Sequence, residues 1–187
     1  MKIYEHIHVK QVYALHQRTL DRYHDFTSTK DLLAEFAISL FDAFSRKDPA
    51  CNIEISNHHP HFLGQKPEFI LNQSFSSDDA KLTIAKAYGF DVWKMIPSSS
   101  IDHTFETAVD LLVTGDCLAL ENLIAKHPEI ETARSSFGHR ATLLHYAGSN
   151  GVEIWRQKVP ENLCAIVDML ISRQACYSQL LRQFIYL

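Results

Sequence analysis

Glycine and proline are scarce in this chain, six residues of each, and the glycines are scattered where helices would stop rather than gathered into a loop. No G-x-x-x-x-G-K-[ST], G-x-G-x-x-G or G-x-S-x-G pattern occurs, so there is neither a phosphate cradle nor a serine nucleophile elbow. Cys51, Cys117, Cys164 and Cys176 form no C-x-x-C pair, which argues against a redox or metal-binding cysteine pair and leads us to expect reduced thiols in the cytoplasm. No N-terminal stretch joins a basic start to an apolar run, and no run is long enough to cross a bilayer. Neither a standard export signal nor a membrane partner is expected. A formal charge of -4 and a pI near 6.2, without any dense lysine or arginine run, supply no field for phosphates. Nucleic acid is therefore not expected as a partner.

What the chain does have is apolar residues in helical order. At 187 residues and 46% apolar content it can bury one continuous core. The spacing predicts helices over residues 8–24, with Val12, Leu15, Thr19, Leu20 and Tyr23 on one face, and over 29–47, with Leu32, Leu33, Phe36, Ala37, Leu40, Phe41 and Phe44 on a stronger one. Thr29 is the expected N-cap of the second. A short helix ending near His59-Pro60 follows, then a linker rich in Pro, Asn and Ser. A helix from an N-cap at Ser77 toward Tyr88, stopped by Gly89, and a return helix over 91–96 with Trp93 and Ile96 inward complete the first half. Pro97-Ser98-Ser99-Ser100 marks the boundary. Beyond it, Phe105, Ala108, Val109, Leu112 and Val113 stripe a helix stopped by Gly115-Asp116, and Asp116 is expected to cap the return helix over 118–126.

The chain also repeats itself. Asp48 to Pro60 aligns without a gap on Asp116 to Pro128, matching Asp, His and Pro; Phe41 and Phe44 fall opposite Val109 and Leu112, and Ile55 opposite Leu123. A second echo lays Leu82 to Gly89 on Leu144 to Gly151 with Leu, Ala and Gly in register. One helical hairpin cannot bury its own apolar face, so repetition is what a stacked array of hairpins requires.

The stretch from Thr142 to Gly151 reads Thr-x-Leu-His-x-Ala-x-x-x-Gly, with Thr142 as helix cap, Leu144 and Ala147 inside, His145 tying its ring to neighbouring backbone, and Gly151 turning the chain. This is the spacing of an ankyrin repeat. Together with Asn150 to Glu153, Arg156-Gln157, Pro160-x-Asn162 and the upstream Asp79 to Trp93, it resembles a group of bacterial ankyrin-repeat proteins over about residues 40–175. The resemblance implies an all-α fold, an ankyrin-type helical-hairpin solenoid stacked on an N-terminal helical region. It divides the chain into residues 1–100, an N-terminal helical region with degenerate ankyrin-like hairpins, residues 101–175, the ankyrin-like repeats, and a tail of 176–187. Two positions depart from the pattern: Leu143 stands where the general repeat has Pro, and Gln174 where it has Gly. In the tail, Tyr177, Leu180, Leu181 and Phe184 share a helical stripe, so a capping helix is expected. The rival reading of that tail is a short, truncated array, and an uncapped end would leave a homodimer open.

Chemistry has weaker support. Of eleven histidines, His58, His59 and His61 form the densest group, yet nearly consecutive residues around a Pro point in different directions, and packing outweighs metal binding. Cys164 lies near Ile166 and Val167, as an inert buried thiol would. Asp110, Asp116 and Glu121 suit helix ends and exposed faces better than a catalytic pair. No metal, cofactor or catalytic residue is expected. The resulting expectation is a non-enzymatic module that binds another protein. Its surface would be the finger over 129–140, through Arg134, Phe137, His139 and Arg140, and the insertion over 153–160, through Trp155, Arg156, Gln157 and Lys158. An equal alternative has Trp155 folding back as packing and Arg134 or Arg140 bridging finger to insertion. The competing functions are a small metal-dependent hydrolase built on the histidines and a degenerate remnant without activity.

Overall fold

The computed structural model describes residues 2–173. The expected tail helix over 176–187, and with it Gln174, lies outside the described residues. Helices predominate: α1 (Ile7–Leu20), α2 (Thr29–Ser45), α3 (Cys51–His58), α4 (Pro67–Ile70), α5 (Ser77–Ala87), α6 (His103–Thr114), α7 (Cys117–Lys126), α8 (Leu143–Gly148) and a helical run α9 over 163–173. The fold is thus mostly helical, as expected, with one addition. Two short strands, β1 (Ile3–Glu5) and β2 (Lys158–Pro160), pair antiparallel with Tyr4 opposite Val159.

Several helices, α1, α2, α5, α6 and α7, start where a side chain takes up an orphan amide group. Ser28, not Thr29, accepts from the Asp31 amide and begins α2. Ser76, not Ser77, begins α5, because Asp79 lies three residues on and closes a reciprocal capping box with it. The hairpin of α6 and α7 forms as its sequence dictates: Gly115 adopts φ 80° and Asp116 accepts from the Ala119 amide. Lys47, which aligns with Gly115 in the internal repeat, also has positive φ, and so do the paired Gly89 and Gly151. The echo in sequence is therefore an echo in backbone conformation. The expected return helix over 91–96 is only a 3-10 turn, Trp93–Met95, with Ile96 buried behind it. The linker contributes α4, whose Ile70 joins the core.

Two apolar cores result. The first gathers Leu32, Phe36, Leu40, Ile55, Ile84 and Tyr88; the second gathers Phe105, Val109, Leu112, Leu120, Ile124 and Tyr146. The two halves pack together across the boundary at 97–100. Ser28 and Ser100 form a β-bridge, the Thr29 amide donates to Ser99, and Phe137 from the second half lies inside the first core. A buried His16–Glu54 contact at 2.8 Å ties α1 to α3.

Candidate functional site

Helix α6 carries Glu106 and Asp110 four residues apart, hence on one face. Glu106 is fully buried beside the apolar stripe and Asp110 is 39% exposed at the side chain. Into this face the insertion delivers Arg156, which is 0% exposed. Its guanidinium pairs with Glu106 through Nη1 and holds Asp110 Oδ1 at 3.0 Å through both Nε and Nη2. Planar geometry matters here, because a fork can satisfy two carboxylates at once where a point charge cannot. The ring of Trp155 lies 4.4 Å from the guanidinium carbon, and Tyr23 and Tyr146 lie at 5.5 and 5.9 Å.

The pattern of bonds extends from there. Glu153 Oε1 accepts from the Tyr146 hydroxyl at 2.7 Å and lies 3.1 Å from His139 Nε2. Ser135 of the finger donates to Glu106. Trp155 donates its indole N–H to the Tyr88 hydroxyl, on the first half, at 3.1 Å. Burial raises the Glu106 carboxyl above its ordinary range, against the pull of Arg156. Glu153 is buried too, but Arg156, then His139 and Tyr146, outweigh that cost and hold its carboxyl below the ordinary range. Burial likewise drives the Tyr23, Tyr88 and Tyr146 hydroxyls upward, so all three stay protonated.

This geometry fits the packing alternative for the insertion rather than an exposed contact surface. Trp155, at 8% exposure, and Arg156 are internal, and Phe137, at 0%, stacks edge-on against Tyr88 at 4.8 Å. Lys158 belongs to β2 and lies 3.7 Å from Glu5. The insertion is therefore not an exposed loop; it is the seam between the halves. The physical reason is charge: two buried carboxylates, Glu106 on α6 and Glu153 at the start of the insertion itself, need a cation, and Arg156 lies between them. Gln157, Arg134 and Arg140 remain at the surface, and Arg134 donates to the Arg140 carbonyl within the finger, not to the insertion. Asp110, read as a solvent-facing carboxylate, is half committed to Arg156.

No family model, curated protein or solved structure matches the chain.

Of the motif residues, Thr142 precedes α8 as its N-cap and Ala147 is buried, whereas Leu144, expected inside, is half-buried and faces a surface groove. Thr142 Oγ1 lies 2.7 Å from His145 Nδ1, which also accepts from the Thr142 amide. A Cβ on Gly151 would meet the Arg156 carbonyl oxygen at 2.1 Å, so this glycine lets the insertion close. His59 is buried and bonded to Asp79 at 3.4 Å, and its pKa is lowered chiefly by burial. Among the described residues no group of three or more His, Cys, Asp or Glu is placed to hold a metal ion. Cys51, Cys117 and Cys164 are free thiols; Cys164 is exposed, contrary to the buried position expected, and Cys51 is pushed up to about 12, first by burial. No described helix is long and apolar enough to cross a membrane.

The sequence reading missed Glu106, Glu153, Tyr146, Tyr88 and Ser135. One signal was present: a carboxylate beside the apolar stripe of α6, with another four residues on, implies a buried cation to match.

Proposed function

We propose that the chain is a non-enzymatic protein-binding module of ankyrin type, acting in the cytoplasm, whose partner docks beside the finger. The insertion is a structural clamp in this reading and not a contact surface. The observation that carries it is a shallow, largely apolar groove of about 540 Å³ along α8, lined by Ala141, Leu144, His145, Gly148 and Val152. Open grooves of this shape suit a protein segment better than a substrate that must be shielded from water.

Two features define the partner's chemistry. Leu144 and Val152 offer apolar contact, and Arg134 and Arg140 stand exposed on the adjoining finger. A protein segment with an apolar anchor and a neighbouring carboxylate would satisfy both. Gly148 supplies the test, since it lines the groove and a Cβ built there meets nothing within 4 Å, so a substitution there starts without a backbone clash. In pull-downs from native lysate, Gly148→Gln should lose a partner that the wild-type chain captures, with circular dichroism unchanged. Equal capture by both would refute the groove as the docking site.

A further inference from the structure

A depression of about 400 Å³ lies between α1 and α3 on the first half of the molecule, within the size range of small-ligand sites. No Asp, Glu, Lys or Arg lines it. Its hydrogen-bonding groups are three carboxamides, those of Gln11, Asn52 and Asn57, with the Ser56 hydroxyl and the His8 imidazole. Helical spacing gathers them, because His8 and Gln11 stand three apart on α1, while Asn52 and Ser56 stand four apart on α3, as do Ile53 and Asn57. Pro49, Ile53 and Pro67 supply apolar faces.

Asn52 is 2% exposed and its orientation is fixed, since Nδ2 donates to the Pro49 carbonyl at 3.1 Å and a carbonyl can only accept. The other end of that amide, Oδ1, is buried and has no partner. A buried acceptor without a donor is costly, and a ligand that brings an O–H or N–H removes the cost. The Gln11 and Asn57 carboxamides also have no hydrogen-bond partner among the described residues, so donors and acceptors are both left over. A charged ligand would bring charge that no lining carboxylate, lysine or arginine balances, and a purely apolar one would strand the amides. An extended main chain presents its polar groups along one line. This lining comes instead from α1, α3 and the first residue of α4, and so surrounds a compact body.

We propose that this depression binds a neutral sugar ring, whose hydroxyls both donate to and accept from the carboxamides and whose C–H faces meet Pro49, Ile53 and Pro67. It shares no lining residue with the groove along α8, so either assignment can fail alone. Side-chain amide resonances report occupancy directly. In the isotope-labelled full chain, NMR titration with the methyl α-pyranosides of glucose, galactose and mannose should saturate with at least one of them and should move the side-chain amide signals of Gln11, Asn52 and Asn57 together. Gln11→Ala and Asn57→Ala, both outside the apolar core, should each weaken that sugar about threefold to tenfold. Cyclohexanol, a ring of the same size with a single hydroxyl, should bind at least about tenfold more weakly. N-acetylglycine N-methylamide stands in for a peptide main chain and should also bind more weakly. Absence of saturation by all three sugars would overturn the proposal. So would equal binding of cyclohexanol, tighter binding of the peptide mimic, or unchanged affinity in both variants.

Discussion

The indole nitrogen of Trp155 donates to the hydroxyl of Tyr88 at 3.1 Å, joining an insertion in the second half of the chain to the end of α5, 67 residues earlier. Both groups are buried, so each is the other's means of avoiding an unsatisfied polar atom. Tyr88→Phe should therefore cost about 1–3 kcal/mol in urea unfolding by stranding the indole N–H. Adding Trp155→Phe should cost less than the two single effects summed, with a coupling of about 1 kcal/mol. Strict additivity would show that the bond contributes nothing.

Arg156 carries a larger effect. Replacing it by Met leaves Glu106 and Glu153 buried without their cation, which should cost about 3–5 kcal/mol. Arg156→Lys should recover only part of that, since an ammonium cannot reach both Glu106 and Asp110 Oδ1 as the fork does. Chemical denaturation measures both. A loss below about 1 kcal/mol for the Met variant would mean that the carboxylates find another solution.

Glycines test the same seam through sterics. A Cβ on Gly138 would meet the Gly89 carbonyl oxygen at 2.5 Å, and one on Gly89 would meet the His139 amide nitrogen at 2.3 Å. Either Ala variant must push the finger off α5, and Gly89 is strained further by its φ of 80°. Both should lower Tm. Gly148→Ala, with open space around it at the end of α8, should leave Tm unchanged or raise it slightly.

How much of this was legible in the sequence differs by element. The hairpin of α6 and α7 was written locally: an apolar stripe, then Gly115 for the left-handed turn, then Asp116 to cap. The caps of α2 and α5 were displaced by one residue because Ser28-Thr29 and Ser76-Ser77 offer two candidates, and Asp79, closing the box with Ser76, decides the second. The insertion was not legible. It has no period to assign a face, and Arg156 and Trp155 find their partners 50 and 67 residues away. Glu153, three residues before Arg156, is its one local partner, and a Trp-Arg pair beside a single Glu looks the same whether it awaits another protein or its own distant helix.

Acid dependence follows from His58 and His59, whose pKa values are both lowered, chiefly by burial, with Glu54 opposing at the first and Asp79 at the second. The unfolded chain takes up these protons at higher pH than the folded one. Stability from the neutral rings is thus present above about pH 6.5 and is lost as pH falls through their folded values. Glu106 acts in the opposite sense, since its raised pKa contributes stability below the ordinary glutamate range that is lost as pH rises. Subtraction separates them. The stability difference between wild type and a His58→Gln, His59→Gln variant should shrink from about pH 7 to about pH 5. A difference independent of pH would contradict the assignment.

Burial of Trp155 is the point on which the account of the seam rests. In a Trp93→Phe protein, the remaining tryptophan should emit at short wavelength and resist quenching by acrylamide, and urea should expose it in one step with the loss of helical circular dichroism. A red-shifted, freely quenched Trp155 in the folded protein would place the insertion in solvent and contradict the account.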